Sequence, residues 1–451
     1  MKPQIFLVLS SVMLSGFLYG QRDPLKWPFD KTSIWNMPIH NNALYTPASI
    51  PEPTYGVQPE PEFIFMDKNA PLTDVKVSDV GWSGGNRCLA TGPTFMTVPI
   101  ASSFIFDAGI GGGANAPAAF LMPDGHTIKN TQPFSRCIAG SYATGLGEYE
   151  DNDIYTDGIV GAHGGSGLST LGGCIRLGEL VPGGEIRHAI KINVNNTHLY
   201  YSDTNPGFMW PAQNADGYAQ NVYSGTNPAV LMGTLLALPP SVDINNIGLT
   251  TEPGKILAKC LQNYGAYIVD DPYWEVVMFG IEVSPNGNVE DEFVQHFGFS
   301  IESDASTPWA TDIAKIVTSL HAITNNDASN VGGGPTNDLV NRRAPIAPEF
   351  DIQVPVKEVS VSPNDFSLYP NPASEFIFIK INSNALENTV LKIINGAGQI
   401  KHTITQSLNI GENNIKISLQ EMNLPAGVYF INVNSNSISS IKKIIIHKGN
   451  Y

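Results

Sequence analysis

The stretch from Leu368 to the C-terminus is the tightest constraint on what this chain can fold into. It is built of β-branched and aromatic runs, Phe376-Ile377-Phe378-Ile379-Lys380-Ile381 and Val390-Leu391-Lys392-Ile393-Ile394, each followed by Asn, Gly or Pro. Two more runs come at Val428-Tyr429-Phe430-Ile431 and Lys442-Lys443-Ile444-Ile445-Ile446. Short strands broken by turn residues at close intervals fold back on one another, and strands of this length bury their apolar faces by pairing two small sheets. The stretch is therefore expected to be a small β-sandwich.

Its wording also carries a resemblance. Leu368-Tyr369-Pro370-Asn371-Pro372-Ala373 opens it, Asn395-Gly396-Ala397-Gly398 lies at its centre, Leu424-Pro425-Ala426-Gly427-Val428-Tyr429-Phe430-Ile431 follows, and a basic strand closes it. In this order the motifs resemble the type A C-terminal sorting domain of the type IX secretion system of Bacteroidetes-type bacteria. The resemblance covers less than a fifth of the chain. It implies passage through the outer membrane by the type IX machinery, then release or anchoring at the cell surface. It says nothing about what the cargo does.

The other end agrees. Lys2 precedes the apolar run Ile5-Phe6-Leu7-Val8-Leu9, which continues to Leu18 before Gly20-Gln21-Arg22. This is the n-region and h-region of a signal peptide, expected over residues 1–20. No cysteine lies beside Gly20 to carry a lipid. No other apolar run approaches the ~20 residues a spanning helix requires, so no membrane-spanning segment is expected.

With 25 basic and 41 acidic residues the net charge is −16, which removes the electrostatic case for nucleic acid. Sparse charge with 43 Gly and 33 Pro suits a β-rich extracellular protein with long loops. The expected architecture is mainly β. A large sandwich- or jelly-roll-like cargo domain spans 21–343, a linker 344–364, and the small C-terminal sandwich 365–451. Pro47 to Pro61 reads as an extended surface run, and Arg187 to Tyr201 as a strand pair. Two or so helices are expected, over Gly254–Gly265 and Thr311–His321. Cys88, Cys137, Cys174 and Cys260 contain no C-x-x-C pair, and disulfides are their expected fate in an oxidising compartment.

The densest chemistry lies between Asp157 and His188. Glycines there let backbone approach a ligand, and a His, two Ser, a Cys, an Arg and a Glu stand among them. His163 is a candidate general base, Arg176 a cation for a carboxylate, and Glu179 an acid or ligand clamp, with His188 as a fourth catalytic candidate. Ser166, Trp210 and Asp271 are candidate substrate-binding residues. This segment recurs with Ile186-Arg187-His188-Ala189, Trp210-Pro211-Ala212, Leu261-Gln262-Asn263-Tyr264-Gly265 and Asn330-Val331-Gly332-Gly333-Gly334. Together they resemble a family of large, uncharacterised secreted bacterial proteins, which implies no catalytic assignment.

Three functions fit. The first is a polysaccharide lyase or glycosidase. A lyase needs a cation and a base, from His163, Arg176, His188 or Tyr142; a glycosidase needs two carboxylates, from Glu179, Asp270, Asp271 or Glu275. The alternative is a non-catalytic glycan-binding or adhesion protein that stacks sugars on its tryptophans. In the third, His163-Gly164 with Gly173-Cys174-Ile175-Arg176-Leu177 resembles the L,D-transpeptidase signature, which would make Cys174 a nucleophile. That family's Ser and catalytic His are replaced here by Leu171 and Gly172. No cofactor is required, and no metal site is expected. Calcium is the ion an acidic loop at Asp151, Asp153 and Asp157 would take.

Overall fold

Runs such as Phe63-Ile64-Phe65 and Ala266-Tyr267-Ile268-Val269 carry apolar side chains on both faces, so they need cover on both sides. In the computed structural model they lie in the middle of a large sheet. Described are residues 22–106, 115–350, 366–395, 399–435 and 439–447. The expected signal peptide and most of the expected linker lie outside them. The chain divides into two compact units at Asp351–Ile352.

The first unit contains β1 (Tyr45–Pro47), β2 (Val57–Phe65), β3 (Leu72–Val77), β4 (Thr94–Pro99), β5 (Ala118–Leu121), β6 (Thr127–Gln132) and β7 (Ala143–Gly145). It continues with β8 (Gly147–Asp153), β9 (Ile190–Asn193), β10 (Leu235–Ala237), β11 (Ala266–Asp270), β12 (Val277–Ser284), β13 (Gly287–Asn288) and β14 (His321–Ile323). Its helices are α1 (Ala219–Val222), α2 (Glu252–Asn263), α3 (Val289–Phe297) and α4 (Pro308–Thr318). Eleven strands make one sheet in the order β1-β14-β10-β11-β9-β12-β2-β5-β6-β8, with β13 paired to β12. It is mixed: β9 with β11, β12 with β2 and β2 with β5 are parallel. A separate β4-β3-β7 sheet carries the Cys88–Cys137 disulfide near its edge.

Alternation within these strands divides the interior into layers. Ile190, Ile192, Ile268, Phe279 and Ile281 pack with Leu257 and Leu261 of α2 and Ile313 and Ile316 of α4. Tyr267 and Val269 point the other way and join Ile64, Trp35 and Leu171. The mainly-β expectation holds, with the cargo organised by one mixed sheet instead of two facing antiparallel ones. Pro47–Pro61, expected to run over the surface, in fact enters the sheet as β2.

Local signals explain the helices. Thr251 caps α2 by accepting from the Gly254 amide, and Gly265 leaves it at φ +82°. Thr307 caps α4, which stops at Thr318, so His321 belongs to β14 and not to the expected helix. Helix α3 was not expected; Asn288 caps it, three acids fill its first turn, and Gly298 at φ +76° ends it. The expected strand pair at Arg187–Tyr201 is a single strand, β9, followed by a 3₁₀ turn at Asn196–His198, where Asn195 bonds the Thr197 amide.

The second unit contains β15 (Phe366–Tyr369), β16 (Phe376–Ser383), β17 (Glu387–Asn395), β18 (Ile400–Leu408), β19 (Gly411–Ser418), β20 (Gly427–Asn434) and β21 (Ser439–Ile446). The antiparallel sheets β15-β16-β19 and β18-β17-β20-β21 share a core of Ile377, Ile379, Leu391, Ile431 and Ile444.

Candidate functional site

Parallel pairing of β2 with β12 sets Glu60 opposite Gly280 and Glu62 opposite Glu282. On β9, Lys191 and Asn193 alternate with the apolar Ile190 and Ile192 and face the same way as these acids. The result is a charged stripe across a sheet that is otherwise oily. Glu62 and Lys191 are fully buried, and their oxygen and nitrogen lie 2.7 Å apart. A Cβ on residue 280 would sit 2.6 Å from the Glu62 carboxylate, so Gly280 makes room for the pair.

The glycine-rich segment closes over this stripe. It brings His163 Nε2 to 3.1 Å from both Glu60 Oε2 and Glu62 Oε1, while Nδ1 lies 3.3 Å from the Gly164 carbonyl. Burial alone would lower the imidazole's pKa, but the two carboxylates outweigh it and raise it to about 10. Burial alone would likewise raise Glu60; charged His163 and the Asn115 and Asn193 amides instead hold it down at about 2. Asn193 donates to Glu60 at 2.6 Å and Asn115 at 3.0 Å. Lys191 also donates to the carbonyls of Ser169 and Thr170, which ties the covering segment down.

At one end the stripe opens into an acidic rim. Asn115 bridges from Glu60 to Asp270 Oδ2 at 2.5 Å, and His163 Nδ1 lies 3.9 Å from that same oxygen. The loop fits only because positions 164 and 165 lack side chains: a Cβ there would come within 2.5 and 2.9 Å of the Asp270 carboxylate. Burial, with Asp216 and Glu60 nearby, pushes Asp270 well above the usual carboxylate range. Burial and then Asp271 push Asp216 up to about 6, although Tyr223 donates to it at 2.6 Å. Asp271 accepts from Asn196 at 3.1 Å and Tyr218 at 2.9 Å. Exposed aromatics border the rim. Trp82 bonds Asn115, and Tyr218 meets Tyr273 edge-on at 5.6 Å.

At the other end, Arg176 Nε pairs with Glu282 at 2.6 Å, and Glu179 receives both the Arg176 amide and His188 Nε2. Arg176 and Glu179 line a cavity of about 1000 Å³ with Arg22, Trp27 and Arg187. Cys174 lies between the two ends, reduced and buried, as is Cys260; the disulfide expected for Cys174 is absent from this pairing, since Cys88 and Cys137 bond to each other. Burial and the neighbouring Glu62 push the Cys174 thiol up, which works against a thiolate nucleophile. A Cβ at position 172 would fall 2.2 Å from the Trp35 indole nitrogen, so the histidine that would activate this thiol has no space.

The expected residues thus separate into two groups. Arg176, Glu179 and His188 come together at one end. His163 lies within the stripe; Asp271 lies at the rim. Ser166 is fully buried, with its amide on the Val269 carbonyl, and Trp210 packs half-buried against the core. Tyr142 lies under Lys76, and Glu275 pairs with His198. Asp151 and Asp153, expected in an acidic loop, are on β8 and engage Lys129 and His126. Glu60, Glu62, Lys191, Asn115 and Asp216 went unrecognised. Their signal was a charge where a strand should be oily: Glu60-Pro61-Glu62 before Phe63-Ile64-Phe65, and Lys191 inside Ile190–Ile192.

Residues 367–447 match the secretion system C-terminal sorting domain family. The C-terminal unit is a type IX sorting domain. It directs the protein to the cell surface or the extracellular milieu and implies an interaction with the type IX machinery. Among solved structures, dimeric latent PorU from Porphyromonas gingivalis is similar at 21% identity, covering 20% of this chain and 10% of its own, with a TM-score of 0.16. No curated protein matches. Among the described residues, no helix is long and apolar enough to cross a membrane.

Proposed function

We propose that the exported cargo hydrolyses glycosidic bonds of an extracellular polysaccharide, with Asp216 as proton donor and Asp271 as the second carboxylate. One observation carries this reading. Two carboxyl groups in unlike surroundings meet at a rim bordered by exposed aromatic rings. Asp216 is held up at about 6, which keeps a proton available near neutral pH. Burial raises Asp271 as well, but it accepts hydrogen bonds from Asn196 and Tyr218 that favour its ionised form and oppose that rise. Trp82, Tyr218 and Tyr273 offer faces on which sugar rings stack. The same geometry removes one candidate lyase base: His163 is buried between two carboxylates, away from any polymer.

The test incubates the purified protein and its Asp216→Asn variant with neutral and uronate-containing polysaccharides and reads soluble products by mass spectrometry. Hydrolysed oligosaccharides from the parent, reduced roughly 10²- to 10⁴-fold in the variant, support the proposal. Unsaturated products would mean a lyase. Binding to a polysaccharide without cleavage would favour the adhesion reading, which rests on the same aromatics.

A further inference from the structure

The stripe holds a feature that glycoside chemistry does not use. Glu60, Glu62 and His163 present three donor atoms that all lie within 4.8 Å of one another, and all three residues are buried. We propose that they bind a divalent transition-metal ion, zinc being the simplest case. This proposal stands independently of the glycosidase reading.

Geometry is the first argument. The imidazole Nε2 lies 3.1 Å from an oxygen of each glutamate. An ion with ligands at ~2.0–2.1 Å in tetrahedral array separates its donors by roughly 3.3 Å, so small adjustments accommodate it. The Nδ1 contact to the Gly164 carbonyl at 3.3 Å fixes the ring with Nε2 facing the carboxylates, the second-shell arrangement common to metal-bound histidines. Asn115 donates to the remaining Glu60 oxygen in the same way, and Lys191 stands beside the remaining Glu62 oxygen as an ion pair at 2.7 Å. The ion would take the place of the proton that Nε2 shares with two acids.

Unsatisfied polar atoms are the second argument. Both Glu62 oxygens lie at ion-pair distance from His163 and Lys191, yet neither receives an aligned hydrogen bond. The Asn193 carbonyl oxygen, in a residue only 1% exposed, also has no hydrogen-bond partner, while its amide nitrogen sits 2.6 Å from Glu60. Mixed imidazole and carboxylate ligands suit zinc or manganese better than calcium, which prefers all-oxygen shells.

The full chain would be incubated with zinc, desalted and analysed by plasma mass spectrometry, with Glu62→Gln, His163→Ala and Asp151→Asn alongside. The expected result is about one tightly held zinc per chain, retained by Asp151→Asn and lost from the other two. Because those variants remove buried charges and can unfold, the parent is also measured by zinc X-ray absorption. Nitrogen and oxygen donors are expected there, and sulfur donors from Cys174 or Cys260 would overturn the assignment. So would a parent that retains no zinc and whose melting temperature neither zinc nor a chelator moves.

Discussion

Asp216 shows how surroundings set a residue's chemistry. Burial is the main reason its proton is held to about 6, with the neighbouring Asp271 adding to it. In the proposed role of proton donor it acts only while protonated. Activity should therefore be highest on the acid side and fall as pH rises through about 6, with the falling limb missing in whatever residual activity Asp216→Asn retains. A pH–rate profile of kcat/KM on whichever polysaccharide the product assay identifies checks this. A limb unchanged by the substitution would assign the proton to another group. His163 illustrates why site residues were only partly legible. Its glycine-rich setting was visible in the chain, but its partners Glu60 and Glu62 lie far upstream, in a stretch whose prolines suggested a surface run. Glu60-Pro61-Glu62 sits in a strand that pairs in parallel with β12, Pro61 opposite Ile281, and no local pattern reports that register.

The elements that were legible are those whose ends carry their own chemistry. Thr251, Pro253 and Gly265 frame α2, and Thr307 with Pro308 starts α4. Short strands such as β10 and β14, with three residues each, carry too little pattern to read, and only their neighbours in the sheet define them. The two legible helices are joined at a point the chain does not advertise. Asp312 of α4 is fully buried and accepts from the Thr250 and Thr251 amides and the Thr251 hydroxyl, at 2.9, 2.7 and 2.7 Å. It places a carboxylate at the N-terminus of α2, where the helix dipole favours negative charge. Asp312→Ala would strand those donors, and a loss of about 3 kcal/mol is expected in chemical denaturation. Thr251→Ala removes only the cap and one of these bonds, so about 1 kcal/mol is expected. Equal losses would show that Asp312 acts through the cap alone.

At the scale of the whole molecule, address and cargo belong to separate bodies. The first unit has its own layers of core around the mixed sheet, and the sorting domain has its own core from Phe366 to Ile446. A core closed within one segment supports its own cooperative transition. The full chain should therefore unfold in two calorimetric steps, and removing residues 352–451 should abolish one and leave the other at its original temperature. In cells the same truncation should leave the cargo folded but trapped short of the surface, because what is lost is the segment that the type IX machinery recognises. The two measurements are needed together. Loss of export with an unmoved cargo transition separates sorting from folding, whereas a lowered cargo transition would make the sorting domain part of the cargo's stability and its loss from the surface a consequence of misfolding.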